Sequence, residues 1–152
     1  MIRTGCTLLL ALFLTSCGSK EVSDQQISFK DKKWQKSQVL TYDFNITDTA
    51  TLYTISATIK HFKEFPFDKV KLSFSLADPS GENRTTDHDL VVRNEEGGFL
   101  GKKKGDTILM KFAIRNHYRF KAPGKAKVTL VNRLPYPEME GIGGISIVVK
   151  KK

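Results

Sequence analysis

The chain predicts an all-β domain, an antiparallel β-sandwich of jelly-roll-like kind with seven or eight strands, with a small β-barrel as the alternative closure. Three observations carry that expectation. Apolar and polar residues alternate with period two through most of the chain. Gly- and Pro-rich breakers separate the alternating stretches. No stretch shows the 3.6-residue spacing of an amphipathic helix.

A weak first strand is expected at Ile27–Phe29. Leu40, Tyr42, Phe44 and Ile46 then share one face, with Thr41, Asp43 and Asn45 on the other. Tyr53, Ile55, Ala57 and Ile59 repeat the pattern, as do Val70, Leu72, Phe74 and Leu76. The turn Asp78-Pro79-Ser80-Gly81 follows, then a weaker strand at Leu90–Val92 and a Gly-rich loop from Asn94 to Asp106. Ile108, Met110, Phe112 and Ile114 mark the next strand, Ala122-Pro123-Gly124 a tight turn, and Val128 and Leu130 a further strand. Pro135 to Gly144 reads as irregular and a poor central strand, and Ile145, Ile147 and Val149 close the domain.

The first residues have the order of a secretory leader. Arg3 supplies the charge, and Leu8 to Leu14 an apolar core too short to span a bilayer. The leader ends in Leu14-Thr15-Ser16-Cys17, the pattern of a lipoprotein cleavage site; an ordinary secreted precursor cut nearby is the alternative. The expected organisation is a signal peptide over 1–16, a lipidated tether over 17–26 and a single domain over 27–152. Multiple acyl chains on Cys17 make a stable anchor, since each buried methylene contributes about 0.8 kcal/mol. Cys6 leaves with the leader and the Cys17 sulfur is capped, so the mature chain holds no thiol for a disulfide, a metal site or a nucleophile.

Twenty-five Lys and Arg against 16 Asp and Glu give a net charge of +9. That balance favours anionic partners, which in an envelope are lipid headgroups, glycans or acidic proteins. Nucleic acid is excluded by compartment. No Gly-x-Ser-x-Gly, His-Glu-x-x-His or Gly-x-Gly-x-x-Gly motif is present, and no cofactor is implied. Asp87-His88-Asp89 has metal-ligand residue types, but on a strand His88 faces away from the two carboxylates. His61 and His117 lack a local ligand partner and read as structural or surface residues. A carboxylate pair for glycoside cleavage is a matter of geometry that spacing does not reveal. Asp48-Thr49-Ala50 and Asp106-Thr107-Ile108 fit the short Asp-Ser/Thr-apolar pattern of bacterial O-glycosylation at Thr49 and Thr107.

Two features are candidate partner surfaces. In Phe65-Pro66-Phe67 two rings flank a proline at a strand boundary, and at least one is expected to face out. In Gly101-Lys102-Lys103-Lys104-Gly105 three ammoniums are expected to project together from a hairpin tip, either merely solvated or meeting an anionic partner. Trp34 and Tyr136 are the remaining candidates for exposed aromatics, against a core placement.

Taken in order, Cys17, Trp34, Phe44-Asn45-Ile46-Thr47-Asp48, Tyr53, Ile59-Lys60-His61, Phe65-Pro66-Phe67, Gly101, Phe120, Gly124, Asn132-Arg133 and Gly141-Ile142-Gly143-Gly144-Ile145 resemble the gliding-motility lipoprotein GldH family of the Bacteroidota. The family corner usually carries two Tyr and then Ser-Asn, where this chain has two Phe and then Asp68-Lys69. The usual Met-Arg near the C-terminus reads Asn132-Arg133, which marks a divergent member. The resemblance implies a non-enzymatic envelope lipoprotein associated with gliding and type IX secretion machinery, acting by protein binding. Two rivals are a glycan-binding or glycan-processing lipoprotein and a lipid-handling one with an apolar groove. Gly18-Ser19-Lys20-Glu21 has neither an acidic cluster nor Asp after the cysteine, so the expected place is the outer membrane, facing the periplasm.

Replacing Cys17 by Ser is expected to release the protein from membranes or leave an uncut precursor, read by fractionation and intact mass. Normal membrane association with normal mature mass would remove the anchor.

Overall fold

The computed structural model describes residues 20–152, so Cys17 lies outside the described residues. Eleven strands run in order: β1 (Glu21–Ser28), β2 (Lys33–Gln35), β3 (Leu40–Ile46), β4 (Tyr53–Phe62), β5 (Lys69–Ala77), β6 (Asn83–Val91), β7 (Lys102–Lys104), β8 (Thr107–Tyr118), β9 (Gly124–Asn132), β10 (Glu138–Glu140) and β11 (Ile142–Lys151). They form a five-stranded sheet in the order β1-β11-β4-β8-β7, a four-stranded sheet in the order β3-β9-β5-β6 and a two-stranded ribbon of β10 and β2. Every pairing is antiparallel. The sheets face each other as a sandwich and do not close into a barrel.

The inner faces are the apolar sets that the alternation picks out. Leu40, Tyr42, Phe44 and Ile46 on β3 and Val70, Leu72, Phe74 and Leu76 on β5 are buried, opposite Ile55, Ala57 and Ile59 on β4 and Ile145, Ile147 and Val149 on β11. The buried Tyr42 hydroxyl donates to the Ile145 carbonyl at 2.8 Å, stitching β3 to β11. Phe112 is only half-buried, because β7 and β8 lie at an edge of the five-stranded sheet.

Register defines two ends. At the near end Glu21 pairs Lys150 and Tyr53 pairs both Lys151 and Tyr118, while Phe120 packs edge-on against Phe44 and Tyr53. Asp78, also here, accepts from Ser80 N at 2.8 Å and Tyr118 Oη at 3.2 Å. At the far end Ser28 pairs Gly144, His61 pairs Ile108 and Phe62 pairs Thr107. The β2–β10 ribbon plugs this end with Trp34 and Met139, both fully buried. Trp34 Nε1 donates to the Gln38 carbonyl at 2.9 Å, and Asn132 Nδ2 donates to the Trp34 carbonyl at 3.1 Å.

Three expectations about elements change. Eleven strands stand where seven or eight are expected, because β2, β7 and β10 are three residues each, too short to show an alternating pattern. The tether expected over 17–26 is shortened, because residues from Glu21 onward already pair with β11 as an edge strand. Its half-buried positions include Ser23 and Gln25, so apolar alternation is lost while backbone pairing is kept. The stretch from Pro135 to Gly144 contains β10 and the start of β11, which is a central strand. The glycines here permit close approach: a Cβ on Gly144 would sit 2.7 Å from the Ile27 carbonyl oxygen.

Phe74 is fully buried in the middle of β5. Phe74→Ala is expected to cost about 3–5 kcal/mol of unfolding free energy, measured by urea denaturation. A loss below about 1 kcal/mol would mean the inner face is misassigned.

Candidate functional site

The far end gathers side chains from four separate segments. The 62–68 corner leaves β4, the 92–99 loop follows β6, and residues 134–141 lead through β10 into β11. From β2, Lys33 completes the set.

An aromatic series runs outward from the core. The His61 ring lies 5.0 Å from Phe65 and 4.7 Å from Phe99; Phe65 meets Phe67 edge-on at 5.4 Å, and Phe67 meets Tyr136 at 5.6 Å. Exposure rises along it: Phe65 is fully buried, Phe67 half-buried and Tyr136 53% exposed. The candidate surface therefore loses Phe65 and gains Tyr136. The proline makes the corner but sends Phe65 inward, where Gly141 leaves it room: a Cβ on Gly141 would meet Phe65 Cα at 2.8 Å. Gly141 also holds φ at +74°, which β-carbon-bearing residues avoid.

Phe67 and Tyr136 form a ridge between two hollows. One, of about 270 Å³, is lined by both rings with Pro137, Glu138 and Glu140. The other, of about 360 Å³, adds Pro66, Asp68, Lys69 and Lys71 to the same rings. The acids of the first are already engaged. Lys33 Nζ donates to Glu138 Oε1 at 2.5 Å and lies 3.2 Å from Glu140, while Gln35 donates to Glu138 Oε2 at 2.7 Å. Those hydrogen bonds from Lys33 and Gln35 hold Glu138 below the usual carboxylate range, and Glu138 in turn raises Lys33. An ionised, doubly bonded carboxylate is poorly suited to act as a general acid.

Arg93 ties the corner to the neighbouring loop. Its guanidinium lies over the Phe99 ring at 3.7 Å and donates to the carbonyls of Phe65 at 2.7 Å and Gly97 at 3.0 Å. Beneath it, His61 is fully buried. Its Nδ1 lies 3.0 Å from the Phe62 carbonyl oxygen and Nε2 has no partner. Burial pushes the imidazole below its ordinary pKa, outweighing the Phe62 contact, and the Arg93 charge acts in the same direction as burial. The neutral Nδ1–H tautomer fits this surrounding, because a proton on Nε2 would be buried without an acceptor.

The lysine run is also at the far end, though not as a tip. Lys102, Lys103 and Lys104 are the exposed edge strand β7, paired with Leu109, Ile108 and Thr107. Strand alternation sends Lys103 to the opposite face from Lys102 and Lys104, so the three do not project together. The turn itself falls at Gly105-Asp106. Trp34 is core and Tyr136 surface. His88 faces Phe74 across 6.3 Å, while Asp87 contacts Ser73 and Asp89 lies 3.6 Å from Lys71, so the three neighbours diverge. Thr49 lies in the turn after β3, and Thr107 Oγ1 donates to the Lys104 carbonyl at 2.9 Å. Arg93, Lys33, Glu138 and Glu140 were not candidates from the sequence. The signal that could have found the last two is Pro135-Tyr136-Pro137, a second aromatic held by prolines just before them.

The GldH lipoprotein family matches residues 21–149. The gliding motility lipoprotein GldH of Flavobacterium johnsoniae is 27% identical over 150 residues, an alignment covering 96% of this chain and 92% of that one. Among solved structures, a family GH115 4-O-methyl-α-glucuronidase matches at TM-score 0.45 and 13% identity, over 97% of this chain and 19% of its own. The infectious bursal disease virus VP2 subviral particle matches at TM-score 0.41 and 13% identity, over 84% and 32%. Both scores are too low to support a conclusion about function.

A buried base whose pKa is lowered on folding stabilises the fold fully above its unfolded value and progressively less below it. Unfolding free energy is therefore expected to fall as pH drops below about 6.5 towards the lower folded-state value. His61→Leu is expected to flatten that slope in urea titrations between pH 8 and 5. An unchanged slope would mean that another group is responsible.

Proposed function

The chain belongs to the GldH lipoprotein family, and from that premise we propose that it is a non-enzymatic, lipid-anchored protein of the cell envelope. It serves as an accessory component of gliding-motility and type IX secretion-related machinery, and it acts by binding other proteins. The anchor is Cys17, and the membrane is the outer one, with the domain facing the periplasm.

The observation that carries protein binding is the Tyr136–Phe67 ridge. An exposed tyrosine braced by a half-buried ring and two flanking prolines loses little conformational freedom on binding, which is the property of an interface anchor. Exposed Leu100 adds apolar surface to the far end, at 39% exposure. A glycan reading is favoured by one feature, the hollow where aromatic rings meet Glu138 and Glu140. It is weakened because Lys33 and Gln35 already occupy the Glu138 oxygens. Glycan processing is weaker still, since Glu138 is held ionised rather than protonated.

Capture of the tagged protein from cross-linked native envelopes is expected to recover specific envelope proteins. Tyr136→Ala is expected to reduce that recovery at least about tenfold if the ring is a hot spot, without moving the unfolding midpoint. Undiminished recovery, or a loss confined to a soluble oligosaccharide, would overturn protein binding at this ridge. Protease added to intact cells is expected to spare the protein; digestion without lysis would reverse the assigned side.

A further inference from the structure

The near end is where the described chain begins, and it is rich in cations brought together from separate elements. Lys20 lies beside β11, its carbonyl accepting from Lys151 N at 2.8 Å. Lys150 and Lys151 end that strand, Lys152 follows it, and Arg119 and Lys121 follow β8. Some of these charges are balanced: Lys150 by Glu21 at 3.4 Å, Lys151 by Asp48 at 3.6 Å and Lys121 by Glu82. Lys20, Arg119 and Lys152 make no ion pair among the described residues, and Lys152 Nζ instead meets His117 Nε2 at 2.5 Å.

We propose that the near end is a second binding surface, specific for anionic lipid headgroups of the membrane that holds the anchor. The proposal rests on Cys17 being that anchor. The chain from Cys17 to Lys20 reaches at most about 10 Å when extended. That is comparable with the screening length of about 8 Å at physiological ionic strength, so these charges stay within range of the headgroups. An acidic protein is the poorer occupant, because a domain of about 100 residues has a radius of gyration near 13 Å and does not fit that gap. The far-end lysines of β7 stand about 30 Å further off along the ten residues of β4, well outside the same field. The bound orientation holds the near end down and presents the Tyr136 ridge away from the bilayer.

The test uses the mature lipidated protein in vesicles of phosphatidylcholine, with or without phosphatidylglycerol. A fluorophore is attached at Ala50→Cys near the anchor or at Glu95→Cys at the far end, and energy transfer to labelled headgroups is measured. With phosphatidylglycerol, transfer from position 50 should greatly exceed that from position 95. In phosphatidylcholine alone, or at high salt, the difference should shrink to what the tether alone imposes. Each cation removed from Lys20, Arg119 and Lys152 should reduce the oriented population roughly fivefold, so that the triple alanine variant loses the phosphatidylglycerol-dependent part of the difference. Alanine at Lys102, Lys103 and Lys104 should leave it intact. A near-end variant indistinguishable from wild type, or loss caused only by the β7 variant, would overturn the proposal. Flotation on neutral vesicles reads the anchor separately: failure to float there counts against Cys17. A higher floated fraction with phosphatidylglycerol, lost in the near-end variant, would still support the lipid surface; no such gain would overturn it.

Discussion

Burial between two sheets, without a covalent staple, is the constraint on which the molecule depends. The described residues contain no cysteine, so nothing fixes one sheet to the other except apolar contact and a few cross-sheet hydrogen bonds. That explains the size of the buried side chains: Tyr42, Tyr53, Phe74 and Phe120 span the interior from both sides. Tyr42 gains a further bond through its hydroxyl, and burial raises its phenol pKa well above the ordinary value, so it remains a neutral donor to Ile145. A sandwich made this way is open at its ends, and each end is closed by different means. Aromatic rings around Phe120 and the hydrogen-bonded Asp78 turn close one. The β2–β10 ribbon closes the other with Trp34 and Met139.

The far-end closure has a chemical by-product. Residues that seal it on their inner side, Phe65 and Met139, bring the neighbours Phe67, Glu138 and Glu140 to the outside. Gly141 sets this geometry by letting β11 begin against the corner backbone, and Phe62 N donates to its carbonyl at 2.8 Å. The Tyr136–Phe67 ridge is therefore built from the same short segments that plug the core. Its shape is tied to the packing of the plug, and His61 is buried below it, where desolvation disfavours the charged imidazole.

The sheets were legible in the sequence wherever one face meets the core and the other meets water, as in β3, β4 and β5. Legibility failed where pairing is carried by backbone rather than by apolar side chains. In β1, Ser23 and Gln25 occupy half-buried positions, and Gln25 donates to the Asp43 carbonyl, so the edge reads as a linker. In β11 the glycines that admit a neighbouring strand read as a loop. For the site, residue type identified the Phe65-Pro66-Phe67 corner and Tyr136 but not which ring turns outward, because that choice depends on Gly141, distant in sequence. Arg93 was invisible for the same reason: its role lies in the carbonyls of Phe65 and Gly97 and in the Phe99 face, none of them implied by its own neighbours.

The first strand starts four residues after Cys17, the proposed anchor, and runs antiparallel to β11, whose beginning adjoins the exposed ridge. Tension applied between lipid and ridge would pull β1 and β11 in opposite directions along their own axes. The ladder bonds lie perpendicular to that pull and would be loaded together in shear rather than opened one after another like a zipper. Were a partner to pull on the ridge while the N-terminal end is held at a membrane, the force would thereby meet the sheet in shear.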